Sequence, residues 1–231
     1  MLVIGACQDV SVSNVREIGR VISSDGIDVV GSQHVLIENC CLRNNDDCIV
    51  IKSCPGDSPV GVDWRGDVAQ VLVRGCLLWN AEAGNALEVG HELQTQSIRD
   101  IRFEDIDILC VHGHGAAFSI HNGDRALVED ITFEDIRVEH HFEKLIDFRV
   151  IKSRFNHDEE RGQVRNIRLR NIAVVESPFN PGYTVSLIGG YDSRHTVEGV
   201  HFENFVLGGR KMTSADDLLL FTRHCADITF A

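Results

Sequence analysis

The chain of 231 residues carries 22 Lys and Arg against 35 Asp and Glu, a formal charge of −13, and 43% of it is hydrophobic. That is enough apolar content to build a core, while no apolar run approaches the ~18 residues of a membrane span. The acidic balance argues against non-specific nucleic-acid binding, and only 4 Pro without any low-complexity tract argue against disorder.

The first residues, MLVIGACQDVSVSNV, lack the basic region that precedes the apolar run of a signal peptide. From Val10 onward one octet recurs: apolar or β-branched, any, apolar, any, small or turn-forming, apolar, any, apolar. Copies begin at Val10, Val35, Val71, Ile101, Ile131, Ile167 and Val200, and a truncated copy begins at Ile228. The fifth position is Asn14, Asn39, Gly75, Asp105, Asp135, Asn171 and Asn204, residue types that tolerate the left-handed conformation or bond their own backbone in turns. Each octet therefore reads as two very short strands joined at a corner, because the alternation has period two. A second strand follows 13–18 residues after each octet begins: GIDVV, CIVIK, ALEVG, AFSIH, LIDFRV, TVSLIGG and LLLFT.

One octet and one further strand per repeat of about 30 residues describes a coil that buries its inward row only by stacking on its neighbours. The expected fold is all-β, a parallel β-helix of roughly 7–8 coils filling residues 1–231 as a single domain. Leucine-rich repeats would need Leu-x-x-Leu-x-Leu spacing and helices. A sandwich would need hairpin turns, and Asn122-Gly123 is the single Asn-Gly. The chain starts almost directly in a coil and stops inside an octet at Ala231, which reads as a segment of a longer solenoid or one with minimal caps.

Eight cysteines (Cys7, Cys40, Cys41, Cys48, Cys54, Cys76, Cys110, Cys225) lack CxxC spacing, and several sit in apolar strand-like stretches. They are expected to be reduced, behaving as small hydrophobes. Unpaired thiols slightly favour the cytoplasm; the compartment is otherwise open.

In a stacked solenoid, equivalent residues of successive coils form a column with ~4.8 Å between steps. Aligning Ser24-Asp25-Gly26-Ile27 with Asp46-Asp47-Cys48-Ile49 and Gly84-Asn85-Ala86-Leu87 puts Asp25 and Asp47 in one column, with Asp46 beside them. Like charges this close raise at least one pKa, which suits general acid work at neutral pH. A protonated and an ionised carboxyl on opposite sides of a bond are what inverting glycoside hydrolysis needs. Turn or calcium-binding aspartates are the plainer reading of the same pattern.

SSDGID at 23–28, then NDDCIVIKS at 45–53 with Asp46 21 residues after Asp25, resembles the polygalacturonase family of pectin hydrolases, glycoside hydrolase family 28. The resemblance is clearest over 20–55. It implies a right-handed parallel β-helix, Asp46 as proton donor, and Asp25 and Asp47 as the residues that hold and deprotonate water. The family's Gly-His-Gly corresponds to Gly84-Asn85-Ala86, and its Arg-Ile-Lys, which grips galacturonate, falls on Ser119-Ile120-His121. With both strong cations gone, a neutral or differently decorated glycan is expected rather than pectate.

Substrate contacts are expected from Lys52, Asn85, Glu88, His91, His121 and Arg125, with Glu92, His114, Trp64 or Trp79 nearby. Asp124-Arg125 reads equally as a loop-pinning ion pair. His112-x-His114 lacks a third metal ligand at diagnostic spacing, so neither metal nor cofactor is expected. Asp147 and Arg149 are weaker subsite candidates, and Asp216-Asp217 reads as structural. The expected partner is a polysaccharide or oligosaccharide, with no nucleic acid, no membrane and a monomeric chain. Two alternatives stand: a non-catalytic β-helix that binds carbohydrate or builds a tail fibre or adhesin, and a β-helical polysaccharide lyase using Lys52.

Overall fold

A computed structural model describes residues 1–55, 62–175 and 186–231. Among these, the octets stack one on the next as the repeat predicts. Val10 pairs with Val35, then Val71, Ile101, Ile131, Ile167, Val200 and Ile228, all in parallel. Period two turns the first, third, sixth and eighth residues inward, so Ile101, Phe103, Ile106 and Ile108 are all fully buried. The third position builds an aromatic stack: Phe103 lies 5.1 Å from Phe133, which lies 5.9 Å from Phe148 of the facing sheet. Each such ring contributes roughly 1.5–3 kcal/mol through burial.

All seven fifth-position residues have positive φ, from 51° at Asp105 and Asn204 to 62° at Gly75. The residue before each octet, from Asp9 through His34, Gln70, Asp100, Asp130, Asn166 and Gly199 to Asp227, also has positive φ. Each coil is therefore bent twice. In part the octets depart from two separate strands: Ser97–Val111, Leu127–Val138, Gln163–Val174 and Val197–Leu207 continue through the bend. A single left-handed residue turns the chain while the ladder resumes on both sides.

The second strands form a sheet of eight among the described residues, in chain order: Leu2–Gly5, Ile27–Val30, Ile49–Ser53, Leu87–Leu93, Ala116–Asn122, Lys144–Val150, Leu187–Gly189 and Phe221–Arg223. The first of these precedes the repeat and was not expected. Inward residues of this sheet, such as Ile27, Ile49, Leu87, Phe118 and Ile146, join the apolar cluster. The outward row reads Asp28, Val50, Glu88, Ser119 and Asp147; the next pairs Val30 with Lys52 and, past a shift in register, Gly90 with His121 and Arg149. Cys7, Cys40, Cys41, Cys48, Cys76, Cys110 and Cys225 form no disulfide, and Cys40, Cys48 and Cys76 are buried. No helix is long and apolar enough to cross a membrane among the described residues.

Candidate active site

The aspartates come from the turns that lead into two successive strands of the eight-stranded sheet. Ile27 pairs with Ile49, and the Gly26 nitrogen donates to the Asp47 carbonyl, so Asp25 sits over Asp47 as expected. Carboxylate oxygens of Asp25, Asp46 and Asp47 all lie within 4.8 Å of one another. They line a groove of about 670 Å³ with Asp28, Lys52, Asn85, His91 and Glu92.

Each carboxylate is held differently. Asp47 Oδ1 accepts from the Asn85 backbone nitrogen at 2.6 Å and from Asn85 Nδ2 at 2.9 Å, while Asn85 Oδ1 accepts from the Ala116 nitrogen at 2.8 Å. One amide thus ties three coils together beside Asp47. Asp46 is positioned through its backbone, whose carbonyl accepts from buried Asn80 Nδ2 at 2.8 Å. Gly84 has φ +70°, and a β-carbon there would collide with Asp46 Oδ1 and the Asp47 nitrogen. Lys52 Nζ donates to Asp25 Oδ2 at 3.0 Å and to Asp28 Oδ2 at 3.4 Å. The lysine is therefore a counter-ion to the acids of the site.

Burial raises the Asp46 pKa, and the charge of Asp25 adds to it. Burial, then Glu88 and Asp25, push Asp47 well above the usual carboxylate range. Asp28 is driven to about 7 by burial, against the pull of Lys52. Burial opposes the charge on Lys52, yet Asp28 and Asp25 outweigh it and carry its pKa upward.

Glu88 and His121, expected on the groove surface, are buried beneath it. His121 Nδ1 lies 2.9 Å from Glu88 Oε1, and its Nε2 lies 3.2 Å from Asp147 Oδ2. Arg149 and Lys144 close on the same Asp147 at 2.6 and 2.8 Å. Burial disfavours a charged His121, but Glu88 and Asp147 overcome it and raise the ring to about 9. Burial likewise works against ionised Asp147, which the hydrogen bond from His121 and the surrounding cations hold well below its ordinary value. His91 stacks on His121 with ring centroids 4.4 Å apart and forms the groove wall above it. Burial lowers His91 to about 4, so at neutral pH it is an uncharged donor and acceptor.

Trp64 and His114 line the groove, whereas Trp79 lies outside its lining. Arg125 is also outside: its Nη1 pairs with Asp158 Oδ1 at 2.8 Å. Buried Asp124 accepts from the nitrogens of Leu93, His157 and Asp158 at 2.9, 2.6 and 2.7 Å. The pair Asp124-Arg125 thus fixes the 153–161 connection, because the chain turns away from the groove at Asn122-Gly123. Asp217 Oδ2 accepts from the Thr213 nitrogen and hydroxyl, the structural role expected of it. Sequence reasoning passed over Asp28, Asn80 and the Arg154–Phe155 pair, whose guanidinium lies 4.7 Å from the ring at the groove rim. Asp28 was findable, since it shares the outward row with Glu88.

No family model matches the chain. No curated protein matches it in sequence. Among solved structures it is similar to a hyperthermoactive exopolygalacturonase from Thermotoga maritima, with 20% identity and a TM-score of 0.50 over 88% of this chain and 48% of that one. It is also similar to a family 28 exopolygalacturonase from Yersinia enterocolitica, with 16% identity and a TM-score of 0.51 over 90% of this chain and 38% of that one. The chain thus spans half or less of the length of these enzymes. At these identities what is shared is the fold: this protein is a parallel β-helix of the kind those enzymes have.

Proposed function

We propose that the groove hydrolyses an O-glycosidic bond in a polysaccharide or oligosaccharide. One juxtaposition carries the reading: three carboxylates from two consecutive coils, with oxygens within 4.8 Å, opening into one groove. Asp46 is the general acid for the leaving oxygen, its pKa raised by burial and by Asp25, the direction that favours the protonated form. Asp25 and Asp47 hold the water between them, and an ionised member of that pair takes its proton. Asn85 occupies Asp47 Oδ1 and leaves the other oxygen for that water. The fold's occurrence in two exopolygalacturonases supports a glycosidase.

The substrate we infer is neutral or sparsely charged. Asp25, Asp28, Asp46, Asp47 and Glu92 line the groove, and its lysine is already paired with two of them. Those of the five that are ionised repel a polyuronate, and the rim cation Arg154 lies over the Phe155 ring. Neutral His91 and the Trp64 ring suit hydroxyls and a sugar face.

Inversion by a single displacement is the leading mechanism, with water lodged between Asp25 and Asp47. The close approach of the carboxylates favours a second reading. Inverting pairs usually stand ~6.5–9.5 Å apart and retaining pairs ~5–5.5 Å, so a covalent glycosyl-aspartate is the alternative. The anomer first released, followed by proton NMR, separates the two.

The test is reducing-sugar release from a panel of neutral and uronate glycans by the native protein and Asp46→Asn. Hydrolysis of a neutral glycan that falls roughly 10²–10⁴-fold in the variant is expected. Unimpaired hydrolysis by the variant overturns the assignment of Asp46. Saturable glycan binding without cleavage identifies a binding β-helix instead, and an unsaturated product identifies a lyase.

A further inference from the structure

Away from the groove, Cys110, His112 and His140 bring one ligand atom each to within 4.8 Å of one another. We propose that these three side chains form a binding site for a divalent transition-metal ion of the zinc class, with a fourth position open to solvent.

The placement follows from the coil register. Cys110 and His112 flank inward-facing, buried Val111, so period two sends both to the outer face. His140 belongs to the next coil. The Val111 nitrogen donates to its carbonyl at 2.9 Å, and the Phe142 nitrogen returns to the Val111 carbonyl at 2.8 Å. Both coils are thus fixed to each other by backbone bonds where the ligands project. His112 is held further by its own nitrogen, which donates to the Asn80 carbonyl at 3.2 Å, and by the Phe142 ring 4.8 Å away.

The spacing fits tetrahedral coordination. His112 Nδ1 and His140 Nε2 lie 3.3 Å apart. Two imidazole nitrogens on a tetrahedral zinc ion with bonds of ~2.0–2.1 Å stand about 3.3 Å apart. One thiolate and two imidazoles are a donor set that zinc, cobalt and copper prefer over magnesium or calcium.

A second cluster, Glu88, His91 and His121, has equally close atoms, but its central histidine is already engaged. Both nitrogens of His121 face carboxylates, and Arg149 stands 3.1 Å from one of them. The sequence hid the better cluster because His140 lies one coil beyond His112, so no local spacing announces it.

The experiment titrates the full chain, freed of any purification tag, with Co²⁺ and then with Zn²⁺. A thiolate-to-cobalt charge-transfer band that saturates at one equivalent and is erased by Zn²⁺ is expected. One equivalent of bound Zn²⁺ should raise Tm by about 2 °C or more, and each of Cys110→Ala, His112→Ala and His140→Ala should abolish both effects. His112 is exposed, so its replacement leaves the fold intact and keeps the test decisive. The absence of a saturating band, or its persistence in any one of the three variants, overturns the site.

Discussion

His121 and His91, stacked at the groove wall, respond to pH in opposite senses. His121 is raised to about 9 from 6.5, so its contribution to stability is complete below pH 6.5 and is lost as pH rises through 9. The full contribution is about 3 kcal/mol, and urea midpoints measured from pH 6 to 10 should fall steeply in the native protein and less in His121→Gln. His91 is lowered to about 4, so its contribution is lost as pH falls from 6.5 through 4, and His91→Gln should flatten that acid limb. At Lys52, the Met variant leaves Asp25 and Asp28 without their cation and should cost roughly 3 kcal/mol, together with activity. Gly84→Ala should displace Asp46 and lower kcat at least tenfold, with KM less affected, because the collision is with the acid itself. Asp25, Asp46, Asp47, Asn85 and Lys52 were legible because register alone sets their columns. Glu88 and His121 were legible as positions but not as buried groups, since Phe155, which packs on His91 over this part of the wall, comes from a distant stretch of chain.

At the level of the strand, the octet was readable because its fifth residue is Asn, Asp or Gly in every complete copy. The second column of left-handed residues was hidden, since His34 and Gln70 occupy it with φ of 53° and 57°. Side chains at such positions carry a steric cost of ~1–2 kcal/mol that glycine escapes, partly offset by glycine's greater freedom in the unfolded chain. Gln70→Gly should therefore raise stability by about 0.5 kcal/mol in urea denaturation. Phe133 sits between Phe103 and Phe148 with Phe118 edge-on at 5.3 Å, and Phe133→Ala should cost ~3–5 kcal/mol by opening a cavity in mid-solenoid. Arg125 shows the limit of reading by proximity: it lies four positions after His121, but the chain has left the sheet between them.

Among the described residues the strands of each coil pair with those of the next, so protection should be graded along the axis. Amide hydrogen exchange is expected to be slowest between residues 98 and 174, where fifteen- and twelve-residue strands pair on both sides. It should be fastest over residues 2–18 and 219–230, where Ile18, Leu219 and Phe221 are 83, 75 and 57% exposed. Uniform exchange across the chain would contradict a solenoid that opens coil by coil. The residue-for-residue pairing that places Asp25 over Asp47 also makes this architecture editable by whole turns. Copying or deleting a coil beyond residue 162 rescales the surface offered to a glycan and leaves the acids where they are. A coil spliced between residues 31 and 44 would carry Asp25 away from Asp46 and Asp47 by ~4.8 Å, turning a hydrolytic centre into a row of separated charges.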